Sequence, residues 1–189
     1  MEALGLLELD SIARGYRVLD AMVKESPVTV VEANLVEPGK YLILFGGGVA
    51  EVEIAHRLGV ELADKTLVDS VLLPGVHARV WSCLLGEERC NEPDTIGIVE
   101  GSSVAGILEA GDASVKSAEI YLCGLRVSRG LGGKGIFVVN GAQHDVEAAV
   151  EAGVDVLRRR GRLVGAEVIP RAHADFLLQL LRRPPFGVS

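Results

Sequence analysis

The feature that most constrains this chain is an internal repeat. The segment LGLLELDSIARGYRVLDAMVK, which begins at Leu4, aligns with IGIVEGSSVAGILEAGDASVK, which begins at Ile96, at an offset of 92 residues. Eight of the twenty positions from Gly5 to Lys24 are identical, whereas unrelated sequences would share about one. Later matches fall at offsets of 94 and 96, so the second copy has gained two residues at a glycine-rich loop and two at an arginine run. The chain therefore encodes two copies of one domain.

The same pattern of apolar residues recurs in each copy. Short apolar runs predict strands, and apolar residues at every third or fourth position predict helices. In the first copy the predicted strands are residues 3–9, 28–35, 41–45 and 67–73, and the predicted helices are residues 11–24, 49–63 and 76–85. The order β-α-β-β-α-β with a short final helix is a ferredoxin-like arrangement, an α/β (α+β) fold. The second copy repeats it from Ile96 to about Leu181, which predicts domains at residues 1–86 and 95–189 and a polar linker at 87–94.

Charge and hydropathy argue against several classes of function. The chain has 19 Lys and Arg against 26 Asp and Glu, a net charge of -7. Nucleic acid and anionic membranes bind cationic surfaces, so neither is expected as a partner. The basic cluster at residues 158–162 is typical of a helix end, where the backbone dipole favours cations. No apolar run approaches the ~18 residues of a membrane span and no basic signal segment precedes an apolar run, so a cytoplasmic location is expected.

The cysteines and histidines show no recognisable ligand pattern. Cys83, Cys90 and Cys123 are odd in number and include no C-x-x-C pair, so we expect free, buried thiols rather than a disulfide or a zinc site. The histidines also lack the spacing of metal ligands: His56, His77, His144 and His173. No Ser/His/Asp or Cys/His set is evident. We therefore expect no metal site among these residues.

A glycine-rich stretch raises the question of nucleotide binding. In SRGLGGKGIFVV, which begins at Ser128, the residues Gly130, Gly132 and Gly135 match G-x-G-x-x-G. A dinucleotide-binding loop follows a strand and opens a helix, whose amino terminus holds the pyrophosphate. Here the loop is followed by IFVV, which continues as a strand. The glycines therefore favour a hairpin whose backbone approaches a symmetry axis or other copies of the loop.

Four motifs in combination resemble one known family. They are G-x-x-E in the first strand, D-A-x-x-K at the end of the first helix, P-G-K in the first hairpin and P-R-x-H after the last strand. Over almost the whole chain the sequence resembles the tandem-domain, trimeric shell proteins of bacterial microcompartments, of the single-layer type found in propanediol-utilisation shells. The resemblance implies a structural, non-enzymatic protein of the microcompartment shell in the cytoplasm, without a cofactor. Three chains would form a flat pseudohexameric tile with a central pore for small polar metabolites. Its partners would be the chain itself (a homotrimer), neighbouring hexameric and trimeric shell proteins, and encapsulated enzymes.

The resemblance also implies roles for particular residues. The hairpin loops of both copies would line the pore with Val36, Glu37, Pro38, Gly39, Ser128, Arg129, Gly130, Leu131, Gly132 and Gly133. The residues implied at the tile edges are Lys24, Lys116, His77, Arg171 and His173. In the first copy the edge motif reads PGVH, with His77 kept and Val76 at the arginine position, so alternate edges would differ.

The residue before P-G-K is a departure from one member of the family. In the iron–sulfur-bearing member a cysteine precedes this motif, and three such cysteines hold a cluster on the axis. Here Glu37 takes that position, and carboxylates are poor ligands for such clusters. Three Glu37 carboxylates would repel one another unless Arg129 offsets them. Two alternatives stay open: the side chains point away from the pore, or three carboxylates hold a divalent cation.

Two other functions are compatible with the residues. A ferredoxin-like trimer could bind a small molecule between its glycine hairpins, as a sensor or binding protein, and its ligand would raise the melting temperature. An iron–sulfur electron shuttle would use Cys83 and Cys90, which lie seven residues apart, and would absorb visible light.

Overall fold

The structure is a computed structural model that describes residues 1–87, 90, 94–127, 131 and 133–180. The first domain contains β1 (Ala3–Leu9), α1 (Ile12–Glu25), β2 (Thr29–Val36), β3 (Lys40–Gly47), α2 (Val49–Ala63), β4 (Leu67–Leu73) and α3 (Ala78–Leu84), with a short 3-10 turn at Asp64–Thr66. The second contains β5 (Thr95–Gly101), α4 (Val104–Ser117), β6 (Tyr121–Val127), β7 (Gly135–Gly141), α5 (Gln143–Arg159), β8 (Leu163–Ile169) and α6 (Ala174–Leu180). Among these described residues, no helix combines the length and apolar character that crossing a membrane requires.

Each domain is built on a four-stranded antiparallel sheet. The strand orders are β2-β3-β1-β4 and β6-β7-β5-β8, so the same topology occurs twice. The pairing register shifts between Glu8 and Leu9 in the first sheet and between Glu100 and Gly101 in the second. The predicted α+β fold, with two β-α-β-β-α-β units and a short final helix in each, is thereby confirmed.

Local sequence signals explain where the helices begin. Ser11 and Ser103 cap α1 and α4, because each side-chain oxygen accepts a hydrogen bond from the backbone N–H three residues later. The final helix of the first domain begins at residue 78 rather than at the expected 76. His77 caps it, since its Nδ1 accepts from the N–H of Arg79 at 3.2 Å.

The main hydrophobic core runs through both domains. Alternate residues of β1 point to opposite faces of the sheet. Leu7 and Leu9 pack under α1 and α2 of the first domain, whereas Leu4 and Leu6 belong to a core that also includes Leu108 and other residues of α4. Glu8 lies on the same face as Leu4 and Leu6, so this carboxylate points toward the second domain.

The expectation of free, buried cysteines is wrong, because two of the three are disulfide-bonded and none of the three is fully buried. Cys90 and Cys123 form a disulfide, and both are half-buried rather than buried. Cys83 is not part of this bond. Counting cysteines and searching for C-x-x-C did not reveal the pair, because the fold brings together two residues that are 33 positions apart.

Candidate functional site: the domain joint and the hairpin loops

The two domains meet at a surface that we call the domain joint. It is formed by β1, β4 and α3 of the first domain and by α4 and β6 of the second. At its centre the carboxylate of Glu8 accepts a hydrogen bond of 2.9 Å from the N–H of Ala105, in the first turn of α4. Lys40 Nζ lies 3.6 Å from the other carboxylate oxygen. Burial raises the pKa of Glu8, although the Ala105 hydrogen bond and the Lys40 charge act in the opposite direction.

A second contact across the joint is ionic. Arg160, which follows α5, lies with Nη1 2.8 Å from Asp69 of β4 and donates from Nη2 to the carbonyl oxygen of Ser70 at 2.8 Å. Its Nε lies 2.5 Å from Glu109 of α4. Arg162 Nε lies 3.5 Å from the second oxygen of Asp69. Asp69 is largely buried, so its negative charge needs a nearby positive charge. The guanidinium groups of Arg160 and Arg162 provide it.

Two of the expected tile-edge residues meet in a third contact. Asp112 of α4 accepts a hydrogen bond from the N–H of His77 at 2.8 Å. Lys116 Nζ lies 2.5 Å from the other oxygen of Asp112 and donates to the carbonyl oxygen of Gly75 at 2.7 Å. Lys116 therefore bridges the domains while its side chain stays about half exposed. Whether it also contacts neighbouring tiles stays a prediction.

The other expected edge residues lie on open surface. Lys24 pairs with Asp20 at 2.6 Å, and both side chains are exposed. Arg171 is exposed in a left-handed backbone conformation with φ 49°, and His173 is exposed beside α6. Since Pro74 matches Pro170 and His77 matches His173, the counterpart of Arg171 is Gly75 rather than Val76.

The two hairpin loops lie next to each other. Glu37, Pro38 and Gly39 are exposed beyond the buried Val36. Gly39 and Gly133 have φ values of 94° and 84°, which favour glycine. A Cβ atom on Gly133 would lie 3.1 Å from Lys40 Nζ and 3.3 Å from the Glu37 carbonyl oxygen, so the loops are in close contact.

Part of the second loop lies outside the described residues. This holds for the predicted pore residues Ser128, Arg129, Gly130 and Gly132, and therefore for the predicted pairing of Arg129 with Glu37. Leu131 is described and is half-buried. Within the described ranges, no three His, Cys, Asp or Glu side chains lie close enough together to hold a metal ion.

Sequence reasoning missed the charged residues of the domain joint. One signal was present: Glu8 interrupts an apolar strand and recurs as Glu100 in the second copy. The arginine run predicts the end of a helix, and Arg158 and Arg159 do lie in the last turn of α5. Arg160 instead contacts Asp69, 91 positions away, and no local pattern predicts this.

The faces of α1 and α4 differ in a way that defines the class of protein. Leu108 and Val115 of α4 are buried at the domain joint, with 0% and 5% exposure. Their counterparts in α1, Tyr16 and Val23, are 54% and 43% exposed. One copy of the domain thus covers the other, while the matching face of the first copy is left open. An exposed apolar face of this kind, in a repeat whose other copy has the same face covered, is typical of subunits of larger assemblies.

Comparison with known proteins identifies the family. The BMC domain profile matches residues 3–76 and 95–172, so the chain belongs to the BMC-domain family. It is 38% identical over 180 residues to the bacterial microcompartment shell protein PduT of Citrobacter freundii, covering 95% of this chain and 98% of that protein. It is 35% identical over 82 residues to the shell protein EutM of Salmonella typhimurium, covering 43% of this chain and 83% of EutM.

A solved structure agrees with this assignment. A crystal structure of a microcompartment protein from Desulfitobacterium hafniense superposes with a TM-score of 0.85 and 37% identity, covering 95% of this chain and 99% of the other. This chain is a structural shell protein of a bacterial microcompartment, located with its family in the cytoplasm, and is not an enzyme. It assembles with other shell proteins.

Proposed function

We propose that three copies of this chain form a ring, a pseudohexameric tile, with a pore at its centre. The observation that carries this proposal is the open face of α1. In the second domain the equivalent face is covered by β4 and α3 of the first domain. Repeating that arrangement between chains brings β8 and α6 of one chain onto α1 and β2 of the next, and three such steps close a ring of six domains.

The repeat specifies the contacts expected between chains. Glu100 would accept from the N–H of Ala13 at the start of the next chain's α1, as Glu8 accepts from Ala105. Asp20 would accept from the N–H of the preceding chain's His173, as Asp112 accepts from His77. Lys24 would donate to the carbonyl oxygen of the preceding chain's Arg171, as Lys116 donates to the carbonyl oxygen of Gly75.

The joint between chains would differ from the joint within the chain. In the second domain, the counterpart of Asp69 is Gly165. In the first domain, the counterparts of Arg160 and Arg162 are Asp64 and Thr66. The ionic contact of the internal joint therefore has no counterpart between chains. Apolar surface and the capped helix ends would hold that second kind of joint.

The hairpin loops would surround the pore of this tile. Three copies of each loop would converge on the axis, with Glu37, Pro38 and Gly39 exposed there and the glycines permitting close approach. A narrow opening excludes large cofactors, and carboxylates around it favour cations and neutral polar solutes over anions. The outer edges would contact neighbouring hexameric and trimeric shell proteins, and one face would meet encapsulated enzymes.

Native mass spectrometry of the full-length chain tests the ring. We expect a species of three times 20.0 kDa. Tyr16→Glu places a charge on the open face of α1 and should shift the population to monomers. Ile54→Glu is a matched control, because Ile54 on α2 is 38% exposed and its counterpart Ala148 is exposed even in the second domain, whose joint is filled.

Either of two results would contradict the trimer. A wild-type chain that stays monomeric or dimeric at micromolar concentration has no such ring. A Tyr16→Glu chain that remains trimeric assembles through some other face. Circular dichroism of both variants confirms that each domain is folded before the masses are compared.

A further inference from the structure

We propose that Cys90 and Cys123 form a reversible thiol–disulfide site. The bond would attach the interdomain segment, which runs from the end of α3 to the start of β5, to the sheet of the second domain. Cys90 lies between the end of α3 and the start of β5, and Cys123 lies in β6. The disulfide joins these two parts of the chain. This proposal does not depend on the number of chains in the tile.

The position of Cys123 gives the bond a structural consequence. β6 is the outer strand of its sheet. Its start is already held by α3, because Arg79 donates to the carbonyl oxygen of Ile120 and its guanidinium lies 5.2 Å from the centre of the Tyr121 ring. The disulfide adds a second attachment, between β6 and the segment that follows α3. Reduction removes the second attachment and leaves the first.

The cross-link belongs to only one of the two copies. Val31 occupies the position of Cys123 in the first copy and packs against the main core. The pair was therefore not inherited by both copies of the repeat. The disulfide lies at the domain joint within the chain. A joint within one chain exists only because the two domains are fused.

We expect the bond to be reversible because the cytoplasm is a reducing environment. Thiols there are kept reduced by glutathione and thioredoxin systems, and disulfides that do form are usually transient. Cys90 and Cys123 are both half-buried, so a small thiol or disulfide can reach them. The pair would close under oxidising conditions and open when the glutathione pool is reducing.

The exchange needs one low-molecular-weight disulfide as the oxidant. The thiolate of one cysteine attacks a sulfur of glutathione disulfide, forms a mixed disulfide and releases one glutathione thiolate. The second cysteine thiolate then attacks the protein sulfur of the mixed disulfide and releases the second glutathione. The two cysteines lose two electrons, which reduce one glutathione disulfide to two glutathiones. The two cysteine protons end on those two thiols.

Alkylation of the full-length protein tests the site. After equilibration in buffers of graded glutathione to glutathione disulfide ratio, the chain is denatured, treated with iodoacetamide and weighed intact. In the oxidised form we expect Cys90 and Cys123 to stay unmodified and Cys83 to carry one carbamidomethyl group or one glutathione, and in the reduced form we expect three carbamidomethyl groups. Three groups in pure glutathione disulfide, one group in excess glutathione, or a doubled mass from a bond between chains would each overturn the proposal.

Limited proteolysis tests the effect on the interdomain segment. Glutamyl endopeptidase should cleave after the exposed Glu87 several-fold faster in the reduced protein than in the oxidised protein. Cys123→Ser should be cleaved at the fast rate under both conditions. Cys83→Ser is the matched control and should keep the difference. Equal rates for oxidised, reduced and Cys123→Ser protein would show that the bond does not hold this segment.

Discussion

Glu8 in β1 and Ala105 in α4 are joined by a hydrogen bond of 2.9 Å, although 97 positions separate them in the chain. The carboxylate belongs to the first domain and the helix to the second. The first turn of α4 is therefore bound by a carboxylate that the other domain provides. A negative charge at this end also interacts favourably with the helix dipole. This pair is therefore both a capping contact and a link between the two copies of the repeat.

Removing the Glu8 carboxylate should weaken the domain joint. In Glu8→Ala the N–H of Ala105 and the ammonium group of Lys40 both lose their buried partner. We expect the free energy of unfolding to fall by about 1–3 kcal/mol, as measured by urea denaturation at neutral pH. Glu8→Gln keeps an acceptor oxygen and should lose less. Equal losses in the two variants would show that the hydrogen bond is not what matters.

The same residue should give the protein a distinctive response to pH. Burial raises the pKa of Glu8 above its ordinary value of 4.5, so the folded protein binds this proton more tightly than the unfolded chain does. The pH-dependent part of the Glu8 contribution is then greatest below pH 4.5 and declines as the pH rises from 4.5 through the raised pKa, while the hydrogen bond from Ala105 remains. The unfolding free energy of Glu8→Gln, measured against pH, should lack this decline. Parallel curves for wild type and variant would contradict the assignment.

Arg160→Ala should be more harmful than a nearby arginine substitution. Asp69 is only 12% exposed and would lose its closest charge partner, so we expect a loss of about 2–3 kcal/mol. Arg162 limits the effect by remaining beside Asp69. Arg158→Ala is the matched control: its pair with Asp155 is largely exposed and should contribute less than about 0.5 kcal/mol. Similar losses for both variants, by urea denaturation, would argue against an ionic contact across the joint.

The elements of the fold were predictable because their signals are local. The spacing of apolar residues predicted α2 and β4 with the bounds that the structure shows, Val49–Ala63 and Leu67–Leu73. Ser11 marked the start of α1 because a serine before an apolar helical pattern satisfies a free N–H. β3 runs beyond the predicted 41–45 to Lys40–Gly47, since it pairs with a strand on both sides.

The candidate site was less predictable because its contacts connect distant positions. The family resemblance singled out Lys116 and His77, and the structure places both around Asp112. It did not indicate Asp69 or Arg160, since an ion pair leaves no periodic pattern in either strand or helix. The disulfide was missed for the same reason.

Two helix glycines should respond in opposite directions to a single methyl group. A Cβ atom on Gly15 in α1 would lie 2.3 Å from the ring of Tyr41, so Gly15→Ala should cost about 1–3 kcal/mol of stability. On Gly111 in α4 the nearest atoms lie 3.8 Å away, in ordinary contact. Gly111→Ala should therefore stabilise by up to about 1 kcal/mol through helix propensity alone. Thermal unfolding of the two variants measures both effects, and a destabilised Gly111→Ala would show that α4 lacks this space.

His56 should make the protein less stable in mild acid. Its Nε2 is buried on α2 without a hydrogen-bond partner among the described residues, and burial lowers the pKa of the imidazole below 6.5. As the pH falls below 6.5, the unfolded chain takes up a proton that the folded protein still excludes. Stability should therefore fall between pH 6.5 and the lowered pKa, with a slope of at most about 1.4 kcal/mol per pH unit. His56→Gln should remove this slope from urea-denaturation curves, whereas His144→Gln, at an exposed ring, should keep it. A slope that survives in His56→Gln would assign the effect to another group.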